Sequence, residues 1–221
     1  MKYFTKDWFE ELQLSCLLQF PETKEEWEEE VSLYEAEGFN FEEMSRLTLE
    51  RDKSKFLKYL PDAFHPYILD GTLTTQYPSE QLKLMAKQWV EKTRKQSRAL
   101  GEKYHGHYMA IRESLPDNVV QLCKKTLHDA RVLSTERRSQ DTFSITLDCK
   151  GAFHYHTNVI ITFTGVSHIQ PADLKPNSSW LYDEVYLTNT GFELHVLFEC
   201  PLMEFIIAAD NVTIEVLPQN T

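Results

Sequence analysis

The sequence predicts an α+β fold: an α-helical domain over residues 1–128 followed by an antiparallel β domain over residues 129–221. Three observations predict it. Glu, Lys, Leu and Arg dominate up to about residue 128. β-Branched and aromatic residues in period-two alternation dominate after about residue 140. No helix-length segment separates the later strands, which excludes a parallel sheet, because parallel strands need long crossovers.

In the first half, Pro21-Glu22-Thr23-Lys24-Glu25-Glu26 reads as a helix start, with acidic residues in the first turn where the macrodipole favours them. Trp27, Val31 and Tyr34 follow at helical spacing. Gly38 fits a stop, and a second helix resumes from Phe41 to about Leu60, ending at Pro61. Pro61, Pro66 and Gly71 mark a loop region. Pro78-Ser79-Glu80 then opens the longest helical pattern, ending near Pro116, with Leu82, Met85, Trp89, Thr93, Gln96, Leu100, Tyr104, His107 and Ile111 on one face. Its other faces carry Lys83, Lys87, Lys92, Arg94, Lys95 and Arg98. The acidic helix from Glu25 to Glu37 is the expected intramolecular partner of this basic surface, an anionic ligand being the alternative. One more helix is expected from Asp117 to about His128.

The second half predicts a meander of about six strands, and one hairpin can be registered. The segments Trp180–Leu187 and Phe192–Phe198 flank Thr188-Asn189-Thr190-Gly191, which is hairpin-loop chemistry. A four-residue loop pairs Leu187 with Phe192. It therefore places Leu181, Asp183 and Val185 opposite Phe198, Val196 and Leu194 on a core face. Trp180, Tyr182, Glu184 and Tyr186 then share the other face with Glu193 and His195, and Glu184 stands opposite His195.

Composition excludes several function classes. The formal charge of −11 and pI near 5.2 oppose a phosphate backbone, so no nucleic-acid partner is expected. Four isolated cysteines without a C-x-x-C pair suit reduced thiols. The run from Leu12 to Phe20 is interrupted by polar residues and lacks a basic flank, so it is not a signal peptide, and no stretch has the length of a membrane span. A cytoplasmic location and no membrane partner are expected. Seven scattered glycines form no phosphate-binding loop, and no Gly-x-Ser-x-Gly elbow occurs. Glu102 with His105, and His154 with His156, have partial metal-ligand spacings without completed sets, so no metal and no cofactor are expected.

Met1-Lys2-Tyr3-Phe4-Thr5-Lys6-Asp7-Trp8, Leu127-His128-Asp129-Ala130-Arg131-Val132 and Trp180-Leu181-Tyr182-Asp183-Glu184-Val185-Tyr186 together resemble a family of uncharacterised bacterial proteins known only as a domain of unknown function. The resemblance implies a helical front half and a strand-rich rear half. It implies no activity, cofactor or catalytic residue.

The candidate binding residues are therefore Trp180, Tyr182, Glu184, Tyr186, Glu193 and His195, with no catalytic residue assigned. A carboxylate beside an imidazole fixes the ring's tautomer, and the aromatics offer contact surface. The sequence leads to a non-catalytic cytoplasmic interaction module, of which an inhibitor or immunity-type protein is one version, presenting this acidic, aromatic face to a protein partner with a basic surface. The alternative is a small-molecule binder or hydrolase using Glu184, His195 and Tyr182 in a pocket between sheet and helices. An open face favours the first and a closed concavity the second.

Overall fold

The computed structural model describes residues 1–218; positions 219–221 of the expected β domain lie outside the described residues. Among these, six α-helices precede eight strands: α1 Lys6–Leu17, α2 Lys24–Ala36, α3 Phe41–Tyr59, α4 His65–Leu69, α5 Glu80–Ile111, α6 Asp117–Lys124, then β1 Arg131–Arg137, β2 Thr142–Asp148, β3 Asn158–Thr164, β4 His168–Gln170, β5 Ser179–Leu187, β6 Phe192–Glu199, β7 Met203–Ala209 and β8 Asn211–Val216. The α+β class holds, with eight strands rather than six. The long helix runs on through a 3-10 turn at Arg112–Ser114, close to the expected stop at Pro116.

The chain divides into two compact units. A helical unit comprises residues 7–99, and a strand unit comprises residues 1–6 and 100–221. The change from helices to strands comes after Lys124, whereas the division into units falls inside α5.

All strand pairs are antiparallel, in the order β4-β7-β6-β5-β1-β2-β3-β8. This is not the plain meander the sequence predicts, because β7 ends at Ala209 and β8, two residues on, joins the far edge beside β3. Between β1 and β5 the ladder shrinks to one pair, Arg131 opposite Ser179. Side chains of both four-stranded halves share one core, with Phe143 6.1 Å from Phe205 and Phe163 6.3 Å from Phe192, centroid to centroid. Each such fully buried ring contributes about 2–3 kcal/mol against exposure.

The helical unit has its own core of Leu14, Leu49, Phe56, Ile68, Leu82 and Trp89, among others. Helix α2 adds no buried residue to it. Nor does any ion pair among the described residues join α2 to α5, contrary to the expected pairing of acidic with basic helix. Lys83 instead reaches Glu80, the Tyr77 hydroxyl at 3.0 Å and the Glu22 carbonyl at 2.9 Å.

Candidate functional site

The hairpin forms as its loop chemistry dictates. Thr188 Oγ1 accepts the Gly191 N–H at 3.0 Å, and a Cβ at position 191 would overlap the Ala209 carbonyl, so glycine is required there. Leu187 pairs with Phe192 and Glu184 with His195, as registered from the sequence. A bulge between Trp180 and Tyr182 then shifts the ladder, putting Trp180 opposite Phe198 instead of Leu181. Trp180 thereby takes the core position expected of Leu181, and Leu181, still buried, lines a cavity instead. The indole, 1% exposed, lies in the core 5.4 Å from the Phe198 ring, and it is not part of an exposed face.

The rest of the expected docking face is covered from within the strand unit. Glu184 is fully buried and Tyr186 nearly so, while Tyr182, Glu193 and His195 are half-buried. The Glu184 carboxylate accepts the backbone N–H groups of Lys2, Tyr3 and Phe4 at 2.8, 2.8 and 2.6 Å, and the Tyr186 hydroxyl donates a fourth bond. Three consecutive N–H groups on one carboxylate satisfy a buried charge that would otherwise be costly. Burial, and then its bond to Glu184, push the Tyr186 phenol well above its ordinary pKa. His195 makes no hydrogen bond to Glu184, the partner its register suggests, among the described residues. Its Nε2 lies 2.6 Å from Glu193 and its Nδ1 2.9 Å from Glu204, which also meets the Met1 amine. Glu184 and His195 of the expected Glu184/His195/Tyr182 pocket are thus held by partners within the strand unit, and Tyr182 reaches a separate concavity.

The concavity lies beside Asp183, where β1 and β5 have parted. The edge of β5 is satisfied there by side chains of α5: the Tyr104 hydroxyl accepts the Val185 N–H at 3.0 Å, and His107 Nε2 lies 3.3 Å from the Val185 carbonyl. Two adjoining cavities of about 430 Å³ each share Tyr104, Cys123 and Asp183 in their walls. Aromatic rings close the first: Phe4 lies 5.2 Å from Tyr104 and 5.4 Å from Tyr182, and His128 lies 5.3 Å from Tyr182 and 5.9 Å from the exposed Phe153. His128 Nδ1 bonds the Leu181 carbonyl, which assigns the ring proton to Nδ1. No Lys or Arg lines this cavity; Arg112 and Lys124 line the second.

Asp183 itself is held by one hydrogen bond, Trp180 Nε1–H to Oδ2 at 3.0 Å. Burial pushes its carboxyl above the usual carboxylate range, with the Glu184 charge adding to the rise; the indole and His128 act the other way. Burial likewise pushes the Cys123 thiol far above its ordinary pKa, with the Asp183 charge adding to the rise, which disfavours the thiolate. Among the described residues no three His, Cys, Asp or Glu side chains converge as a metal-ligand set, and no helix is long and apolar enough to cross a membrane. Of the expected site residues, only Tyr182 lines this cleft. Asp183, Tyr104, His128 and Phe153 were not singled out for it, because they come together from four separate parts of the chain.

Fold and site define an α+β protein whose strand unit opens a cleft beside one under-bonded carboxylate. The chain belongs to the family described as "Protein of unknown function (DUF4085)", which matches residues 3–209. No curated protein matches the chain.

Proposed function

We propose that the strand unit is a small-molecule binding module of the cytoplasm, and that its cleft takes an organic cation, an amine or amidinium on a flat apolar body. The observation that carries this is the Asp183 carboxylate, whose one hydrogen bond leaves Oδ1 without a partner among the described residues, and which stands between an aromatic-walled cavity lined by no Lys or Arg and the adjoining one that Arg112 and Lys124 line. A cation there would gain a carboxylate beside an aromatic wall of Tyr104, Tyr182 and Phe4. Four free thiols, two of them on exposed residues, support the reducing compartment. Binding is favoured over catalysis because the cleft offers no activated nucleophile beside its one carboxyl.

Titration of the full-length protein with benzamidine and with benzoate, followed by amide NMR shifts, tests the reading. Benzamidine should shift Phe4, Tyr182 and Asp183, and Asp183→Asn should weaken it at least tenfold. Its affinity should rise with pH through the range in which Asp183 ionises, since only the ionised carboxylate holds the cation. Equal binding of benzoate, or shifts confined to other parts of the strand unit, would count against it.

A further inference from the structure

We infer that the helical unit docks a basic amphipathic helix of a partner protein in the groove between α2 and α3. This rests on a different unit from the cleft and does not depend on it. Helix α2 is well specified by local rules. Thr23 and Glu26 form a reciprocal capping box, and Glu25 and Glu26 complement the helix N-terminus. Yet a helix of this length is ordinarily held by burying an apolar stripe, and α2 buries none of its residues. Trp27 and Val31 are half-buried, with Trp27 4.9 Å and Tyr34 5.2 Å from the Phe41 ring.

A cavity of about 240 Å³ opens along this seam, walled by Phe20, Trp27, Tyr34, Phe41 and Met44. Thr74, also in its wall, has an enclosed hydroxyl with no hydrogen-bond partner. Leu33, Phe39 and Leu47, on the same two helices and the turn between them, are 62%, 51% and 60% exposed. Two helices joined by a short turn leave one seam open, and a third helix laid into it completes the packing.

Charge selects the sign of the occupant. Glu25, Glu29, Glu30, Glu35 and Glu37 stand on or at the end of α2 without an ion-pair partner among the described residues. Glu28 pairs with Lys24 at 3.1 Å, the one basic residue of the helix. The basic faces of α5 do not neutralise them, as described above. A partner helix with apolar anchors at i, i+3 or i+4 and flanking Lys or Arg would fill the seam and relieve this repulsion.

The test uses the full-length protein and three 18-residue synthetic peptides: an amphipathic Leu/Lys helix, its Leu/Glu counterpart, and a scrambled Leu/Lys sequence of the same composition without an apolar face. Calorimetric titration should show one-to-one binding of the first, at least tenfold tighter than either control. The double substitution Met44→Glu, Leu47→Glu should weaken it at least tenfold with unchanged circular dichroism. Glu29→Gln with Glu30→Gln, at two exposed positions of α2 of which Glu30 borders the cavity, should weaken it about threefold and reduce its salt dependence. Equal binding of the scrambled peptide would reduce the effect to unspecific charge attraction and overturn the proposal. So would a concentration-dependent dimer in sedimentation that Met44→Glu, Leu47→Glu abolishes, since the seam would then belong to a second copy.

Discussion

Asp183 and Glu184 are sequence neighbours on β5, and they live in opposite circumstances. Glu184 faces three backbone N–H groups and a tyrosine hydroxyl, so its charge is matched and its place is structural. Asp183 receives one indole N–H and otherwise faces a cleft. Strand alternation sends the two to different sides, and what lies on each side decides the rest. A saturated buried carboxylate is a fastener, and an unsaturated one is available to a ligand.

The comparison can be broken most forcefully at Trp180, which is both core and the donor to Asp183. Trp180→Ala should cost about 4 kcal/mol in urea denaturation, the range for large-to-small core changes. A folded variant of near wild-type stability would restore the exposed placement the sequence suggests. Glu184→Gln comes next, at about 3 kcal/mol, because an amide cannot accept from all four donors and leaves some buried without a partner. Its amide exchange at residues 2 to 4 should quicken in step; slow exchange there would mean that other groups hold the segment.

Smaller effects sharpen the contrast. Tyr186→Phe removes one of four bonds to Glu184 and should cost about 1 kcal/mol. Asp183→Asn should act in the opposite direction. The Asp183 pKa is higher folded than unfolded, so its contribution is most favourable below the unfolded value near 3.9 and declines as pH rises toward the folded pKa. Removing the charge should therefore raise the Tm at pH 7 by about 2 °C and flatten the pH dependence above pH 4. A lower Tm at neutral pH would place Asp183 beside Glu184 as a structural group.

Legibility in the sequence followed the range of the interaction. The long helix was readable because its apolar spacing and its opening Pro-Ser-Glu are local. So was the hairpin register from Leu187 back to Tyr182, because the loop sets it. The bulge was not, since nothing in Trp180-Leu181 marks which residue the ladder skips. Strand β1 carries no alternation to read, because only Val132 in it is buried, and β4 has only three residues. Helix α1 buries only Phe9, Leu14 and Ser15, too few to print a clear helical period. At the site, the register points Glu184 to a cross-strand neighbour, whereas its backbone donors lie at residues 2 to 4. The walls of the Asp183 cleft come from positions 4, 104, 128, 153 and 182, and no local pattern links them.

The bonds from Lys2, Tyr3 and Phe4 to Glu184 span 182, 181 and 180 positions of chain. During synthesis from the N-terminus these donors are made some 180 positions before their acceptor. The helical unit, by contrast, is one continuous stretch of residues 7–99, and it can close while the ribosome is still making the strands. The strand unit joins residues 1–6 to residues beyond 100 and needs both parts before it can close. Such a distant closure is slow for reasons of chain entropy alone, so refolding should show residues 1 to 4 gaining protection after both cores have formed.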